Sequence, residues 1–158
     1  MFRKMRRFRQ EVSKQECERV LREAKRGVLS VIGDDGYPYD VPVNFYYDPE
    51  TGAVYIHGAK EGHKVDAINA CSKVCFTVWD DGVQKDGDWA YYVTSVIITG
   101  QAKHVEDAQT ARTELMALAR KYYPTEEGAL HEVEKDGGRA YMLAVYPDHM
   151  TGKLVHEN

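Results

Sequence analysis

Apolar positions follow two rhythms along this chain. Near the start, Cys17, Val20, Leu21 and Ala24 recur at three- and four-residue steps and form one face of a helix. Ser13 with Glu16 three residues on makes a capping box before it, and Gly27 stands where a glycine ends a helix. The rhythm then shortens. Residues 28–32 are a compact apolar run turning at Asp34-Asp35-Gly36. Next, Tyr39, Val41, Val43, Phe45 and Tyr47 alternate with Pro38, Asp40, Pro42, Asn44 and Tyr46, the period of a strand, up to the turn Asp48-Pro49-Glu50-Thr51-Gly52. Residues 53–58 complete that hairpin. Residues 74–79 and 91–104 are two further strands, separated by the polar turn 80–88. Helical spacing returns over 107–123, with Ala111, Leu115, Leu118 and Tyr122 on the buried stripe and Pro124 as the stop. A short helix is predicted over 126–134, ending near Gly137-Gly138, and a last strand over 140–146. Six strands with helices at the start, middle and late do not make a βαβ repeat. They predict a mainly β fold, an antiparallel barrel that is closed or nearly closed, with peripheral helices at its rim.

At 158 residues, 43% of them hydrophobic and 29% charged, the chain reads as a single domain over 1–158 with enough apolar material for a core. No apolar run approaches the roughly 18 residues of a membrane span, and the basic N-terminus is not followed by an apolar segment of the signal-peptide kind. Cys17, Cys71 and Cys75 form no disulfide or zinc pattern, so a cytoplasmic location without structural metal is expected. Net charge is −4, yet the first ten residues carry Arg3, Lys4, Arg6, Arg7 and Arg9 and no acid. This arm reads either as a solvated, flexible terminus or as a contact for an anionic ligand or nucleic acid, and the acidic remainder argues against general nucleic-acid affinity. The six histidines, His57, His63, His104, His131, His149 and His156, are scattered. His131-Glu132 lacks the second histidine of a zinc-protease helix, and no GxGxxG fingerprint marks a separate nicotinamide dinucleotide fold.

The chemistry concentrates in two stretches. In Val54-Tyr55-Ile56-His57-Gly58-Ala59-Lys60-Glu61-Gly62-His63-Lys64-Val65 a strand ends, a tight turn follows, and a helix opens near Gly62 with Val65, Ile68 and Cys71 on its face. Unpaired amides at a helix start, a close backbone approach at Gly62, and Lys60, His63 and Lys64 on one loop suit a phosphate. The same residues also read as a turn with solvent-exposed cations. In Pro38-Tyr39-Asp40-Val41-Pro42-Val43-Asn44-Phe45, two prolines remove two ladder donors. That suits either an ordinary barrel edge or a strand whose backbone meets a flat heterocycle such as a flavin.

Taken in order, Gly36-Tyr37-Pro38-Tyr39, Pro42-Val43-Asn44, Tyr55-Ile56-His57-Gly58-Ala59, Gly62-His63-Lys64, Ser95-Val96 leading to Gly100, and His149-Met150-Thr151-Gly152-Lys153 resemble the FMN-binding split β-barrel family. Within it the resemblance is to pyridoxamine 5'-phosphate oxidase-like proteins of the nitroimidazole-resistance (Nim) type. The resemblance implies a six-stranded antiparallel split β-barrel and a homodimer with FMN at the subunit interface. By it, Val43 and Asn44, with Pro42 beside them, contact the isoalloxazine ring largely through backbone. His57, Gly58 and Ala59 line the ribityl and phosphate path, Gly62, His63 and Lys64 hold the phosphate, and Ser95 approaches from the long strand. Lys60 joins on loop position alone. There are departures: Val93 stands where relatives carry an aromatic, with Tyr91 and Tyr92 nearby. His63 stands where Arg or Lys is common, so phosphate affinity is expected to fall as pH rises. The implied activity is electron transfer from NAD(P)H to a small acceptor such as a nitroaromatic, with amine oxidation disfavoured because the tail lacks residues that would grip pyridoxal phosphate. The alternative is a non-catalytic flavin or haem carrier.

Overall fold

The computed structural model describes residues 1–136 and 141–155. Among them an antiparallel sheet has eight strands: β1 (Gly27–Ile32), β2 (Pro38–Val43), β3 (Tyr46–Tyr47), β4 (Val54–Gly58), β5 (Lys73–Trp79), β6 (Val83–Gln84), β7 (Tyr91–His104) and β8 (Tyr141–Val155). Four helices surround it: α1 (Lys14–Glu23), α2 (His63–Ala70), α3 (Ala108–Tyr122) and α4 (Glu126–Asp136). The sheet runs β2-β1-β5-β7-β8-β4-β3, with β6 pairing β7 off that path. Its edge strands β2 and β3 are consecutive in the chain, separated by Asn44 and Phe45 alone. Three Cα steps from Val43 to Tyr46 span at most about 11 Å, so the sheet must curl until its edges nearly meet. That seam is the split of the barrel.

Eight strands replace the six expected. The alternation over 38–47 passes straight through the seam, because Val43, Phe45 and Tyr47 are all buried. Yet Pro38–Val43 pairs with β1, and only Tyr46 and Tyr47 pair with β4. The expected hairpin is therefore two residues deep. The polar turn 80–88 hides β6. β8 runs far past residue 146 because β7 needs a partner along its length. Pro147, which has no amide to donate, sits at the register shift opposite Gly100, where a Cβ would come 2.2 Å from the Tyr146 carbonyl oxygen. The start of the expected last strand (Ala140), Gly137-Gly138 and His156 lie outside the described residues.

The barrel interior is filled from alternate strand positions, including Leu29, Phe76, Val96, Ile98, Ile56 and Leu143, and is closed by Val20 and Leu21 of α1. Ser13 accepts from the Glu16 amide at 3.2 Å. Glu16 does not reciprocate: its carboxylate takes Arg19, which also bridges to Asp80 at 3.0 Å and ties α1 to the β5–β6 turn. Gly27 does not end α1, whose C-cap is Ala24 in extended conformation. It opens β1, and its Cα is bare because a Cβ would lie 2.3 Å from the Phe76 ring.

Helix α3 starts at the Asp107 cap and packs Ala111 and Leu115 on Tyr55, Val105 and Met142; Ala129 and Val133 of α4 pack against its Ala119. Its stripe also buries a carboxyl, Glu114, beside buried Asp48 of the β3–β4 turn. The basic arm folds back on the sheet: Phe2 stacks on His149 at 4.7 Å and the Val12 amide donates to the Gly152 carbonyl at 3.0 Å. No helix among the described residues is long and apolar enough to cross a membrane.

Candidate functional site

The loop from β4 to α2 is built by a change of backbone state. Tyr55 and Ile56 point into the core, His57 is exposed, and Gly58 ends the strand opposite Tyr141. Ala59, Lys60 and Glu61 are exposed, and Gly62 takes φ +126, a conformation open to glycine and rarely to other residues. Helix α2 then begins at His63 with no side-chain cap, leaving first-turn amides without helical partners. Lys64 folds back over Gly58, where a Cβ would sit 3.1 Å from its Nζ. The ammonium is partly buried and has no ion pair or hydrogen bond among the described residues, and burial pulls its pKa below the ordinary lysine value. A desolvated cation beside uncapped amides is stabilised by an anion, so these residues fit a phosphate.

The β1–β2 turn forms a further wall. The exposed His63 ring stacks on Tyr39 at 4.3 Å, and its Nε2 lies 3.6 Å from Asp34. Gly33 passes close enough that a Cβ would be 3.2 Å from that nitrogen.

Pro42, Val43 and Asn44 lie where β2 reaches the seam, with Pro42 and Asn44 exposed and Val43 buried. β2 is an edge strand, which is why its two prolines are tolerated. Asn44 and His57 line one cavity of about 180 Å³, whose other wall is α3 and α4, with Leu118, Tyr123 and Glu132. The seam is held by Tyr122. Its hydroxyl accepts from the Phe45 amide at 3.0 Å and faces the Lys25 and Phe45 carbonyls at 2.9 and 3.2 Å, to which its single proton is donated. Lys121 stacks its ammonium 3.7 Å from the Phe45 ring centre; burial and the neighbouring Lys25 lower its pKa to about 8. Tyr122→Phe is expected to cost about 1–3 kcal/mol by leaving the Phe45 amide unsatisfied, read as a lower urea midpoint. An unchanged midpoint would remove Tyr122 as the clasp of the seam. Sequence periodicity places Tyr122 on a buried stripe, but nothing in it points to what the hydroxyl binds.

Ser95 stands apart. It lies on β7 between Trp79 of β5 and Lys153 of β8. The loop end of the same strand is His104, which stacks at 4.5 Å on Tyr141, the partner of Gly58. His104 is nine positions after Ser95, about 30 Å along β7. The fold therefore brings Asn44 and His57 onto one cavity and leaves Ser95 at the other end of β7 from the His57–Lys64 segment, level with Val43 across the sheet through Gly27, Val78 and Val96.

The family model described as Pyridoxamine 5'-phosphate oxidase matches residues 13–154. No curated protein matches the chain. Among solved structures, a candidate 5-nitroimidazole antibiotic resistance protein from Bacteroides thetaiotaomicron is 23% identical, with TM-score 0.73 over 91% of this chain and 86% of that one. The FAD binding protein from Mycobacterium smegmatis is 21% identical, with TM-score 0.62 over 92% and 99%. A flavocytochrome from Azotobacter vinelandii is 18% identical, with TM-score 0.76 over 98% and 73%. At these identities the likeness is one of fold. With the family match spanning nearly the whole barrel, from the cap of α1 to the end of β8, the chain belongs to the pyridoxamine 5'-phosphate oxidase family.

Proposed function

We propose that this protein is a homodimeric FMN-binding oxidoreductase that passes electrons from NAD(P)H to a small acceptor such as a nitroaromatic. The observation that carries the reading is the unpartnered, partly buried Lys64 ammonium over Gly58 at the uncapped start of α2. Lys64, the α2 amides and the Gly62 turn would hold the phosphate, with His63 able to join it by leaving Tyr39 and Asp34. Backbone groups at the open edge from Pro42 to Asn44 would meet the ring edge, and His57, Gly58 and Ala59 would line the path between. The flavin, when bound, supplies the two-electron chemistry, and the protein positions it.

Ser95 supports the dimer. It lies level with Pro42–Asn44 but three strands away across the sheet, and a flavin presented there by a second copy would bring it into contact. The outer face around it suits such a partner: Trp79 and Ile97, on β5 and β7, are both more than 40% exposed. A sheet face carrying large apolar groups of this kind is a common interaction surface.

The test is a visible spectrum after incubation with FMN and desalting, followed by chromatography of the released cofactor, because relatives of this fold include FAD-binding proteins. Expected are flavin bands at about one per chain, a dimer by sedimentation, and bleaching by NADH or NADPH under anaerobic conditions, reversed by a nitroaromatic. A haem Soret band or a colourless protein overturns the flavin reading. Retained flavin that neither nucleotide bleaches leaves a carrier in place of an oxidoreductase.

A further inference from the structure

Glu114 and Asp48 have no part in that scheme, yet they are the only buried carboxyl groups among the described residues, 7% and 8% exposed. They meet where α3 packs on the turn between β3 and β4. The turn is firmly built. Asp48 Oδ1 accepts from the Glu50 amide at 2.8 Å, its Oδ2 from the Thr51 hydroxyl at 3.2 Å, and its carbonyl from the Gly52 amide at 2.8 Å. The Tyr55 hydroxyl lies 3.3 Å from Thr51 Oγ1 and ties the turn to β4. Both Asp48 carboxylate oxygens are thus already acceptors, and the hydrogen bond between Asp48 and Glu114 needs a proton on Glu114. Two charged carboxylates at this range repel, so the contact holds α3 only while that proton is present.

The far end of α3 is held differently. Tyr122 clasps Phe45, and Lys25 donates to the Lys121 carbonyl at 2.9 Å. Helix α4 rides on α3: Ala129 and Val133 pack on Ala119, and Arg120 bridges to Glu126 at 2.7 Å. The two helices form one unit, attached to the barrel by the apolar contacts of Ala111 and Leu115, by the clasp, and by the shared proton. This unit supplies Leu118, Glu132 and Val133 to the cavity of about 180 Å³ whose barrel side is Asn44 and His57.

We propose that the α3–α4 hairpin is a movable wall of this cavity, latched by the proton shared between Glu114 and Asp48, and that loss of the proton lets the wall swing out and widens the cavity for a ligand at the seam. The groups facing Glu114 push one way. Asp48 and Glu50 of the turn are acidic, Tyr46 and Tyr55 are neutral phenols, and none of the four offers a positive charge. Burial and Asp48 raise the Glu114 pKa from 4.5 to about 7. Between those values the closed hairpin holds one more proton than the open one. Opening therefore becomes easier by up to about tenfold per pH unit across that window, then levels off. Lys121 acts in the opposite sense, since its pKa of about 8 favours closure only as pH rises beyond that value. Up to pH 8 the trend is set by Glu114.

The test is amide hydrogen exchange by mass spectrometry on the full chain at pH 5 and pH 8, corrected for the intrinsic pH dependence of exchange. Exchange in α3 and in residues 44–47, which include the Phe45 amide under the Tyr122 hydroxyl, is expected to rise at least about tenfold while α1 and β7 stay level. In Glu114→Gln both segments should keep the slow pH 5 rate at either pH. Trypsin cleavage after Arg112 and Lys121 should follow the same pattern, scaled to cleavage in the basic arm to remove the protease's own pH profile. A rise shared by α1 and β7 overturns the proposal, because it reports global unfolding. So does a hairpin that exchanges alike at both pH values, or a rise that survives in Glu114→Gln. No readout needs a cofactor, so the proposal stands or falls apart from the flavin reading, which the visible spectrum decides.

Discussion

Lys64→Met is expected to weaken flavin binding about 30- to 300-fold while raising the thermal midpoint of the flavin-free chain. The first effect is the loss of a charge-assisted contact to phosphate, about 2–3.4 kcal/mol in a partly desolvated site. The second follows from the same burial. Nothing among the described residues compensates the ammonium, and desolvation lowers its pKa from the usual lysine value of 10.5. A base with a depressed folded pKa makes the folded state less stable while it is charged, and the penalty lifts only as pH rises from the folded value towards 10.5. At neutral pH methionine removes that penalty and keeps the stem's packing. Lys64→Arg should retain much of the affinity. In the unsubstituted protein, affinity for FMN should decline on the alkaline side as Lys64 loses its proton. Flavin titration and thermal melts on the same three samples check both halves. Unchanged affinity in Lys64→Met would take the phosphate away from this loop, and a lowered midpoint would mean the lysine is structural.

The second large effect is expected at Glu114. Its carboxyl is 7% exposed on α3, and burial, the charges of Asp48 and Glu50, and a hydrogen bond to Asp48 push its pKa up to about 7. The phenols of Tyr46 and Tyr55 also face this group, and both are raised, chiefly by burial. A raised folded pKa means stability that is complete below about 4.5 and lost as pH climbs through about 7, because the unfolded chain sheds the proton first. Glu114→Gln keeps a donor for Asp48 and removes the titration. It should therefore gain about 2 kcal/mol at pH 8, roughly 4–8 °C in midpoint for a chain of this size, and almost nothing at pH 5. An equal gain at both pH values, or a loss at pH 8, would contradict the shared proton. Since α3 also carries Leu118 and Tyr122, this pair sets how firmly that helix stays on the seam.

The loop between β4 and α2 is legible in the amino-acid sequence because its signal is local: a strand end, two glycines, three basic residues and a helix start within a dozen residues. Lys64 over Gly58, and Gly62 at positive φ, follow from short-range geometry that sequence spacing reports. The seam is not legible in this way. Alternation from Tyr39 to Tyr47 has the same period whether the strand is continuous or broken at Asn44, and only pairing with β1 on one side and β4 on the other shows the break. Gly27 misleads for a similar reason: a glycine after an apolar helix reads as a cap, whereas here the Phe76 ring, nearly fifty residues away, excludes a side chain.

By itself the sequence determined the order and kind of the elements apart from β6 and the break between β2 and β3, the mainly β class, and the composition of the loop between β4 and α2, since periodicity, caps and turn residues act over a few positions. Tertiary structure alone decided which edges meet, that Ser95 lies about 30 Å along its strand from the end beside Gly58, that Glu114 and Asp48 are buried together, and that the basic arm lies against His149 and Lys153. Each of these is a relation between residues far apart in the chain. Its energy comes from desolvation and pairing in the closed barrel, and no local pattern encodes it.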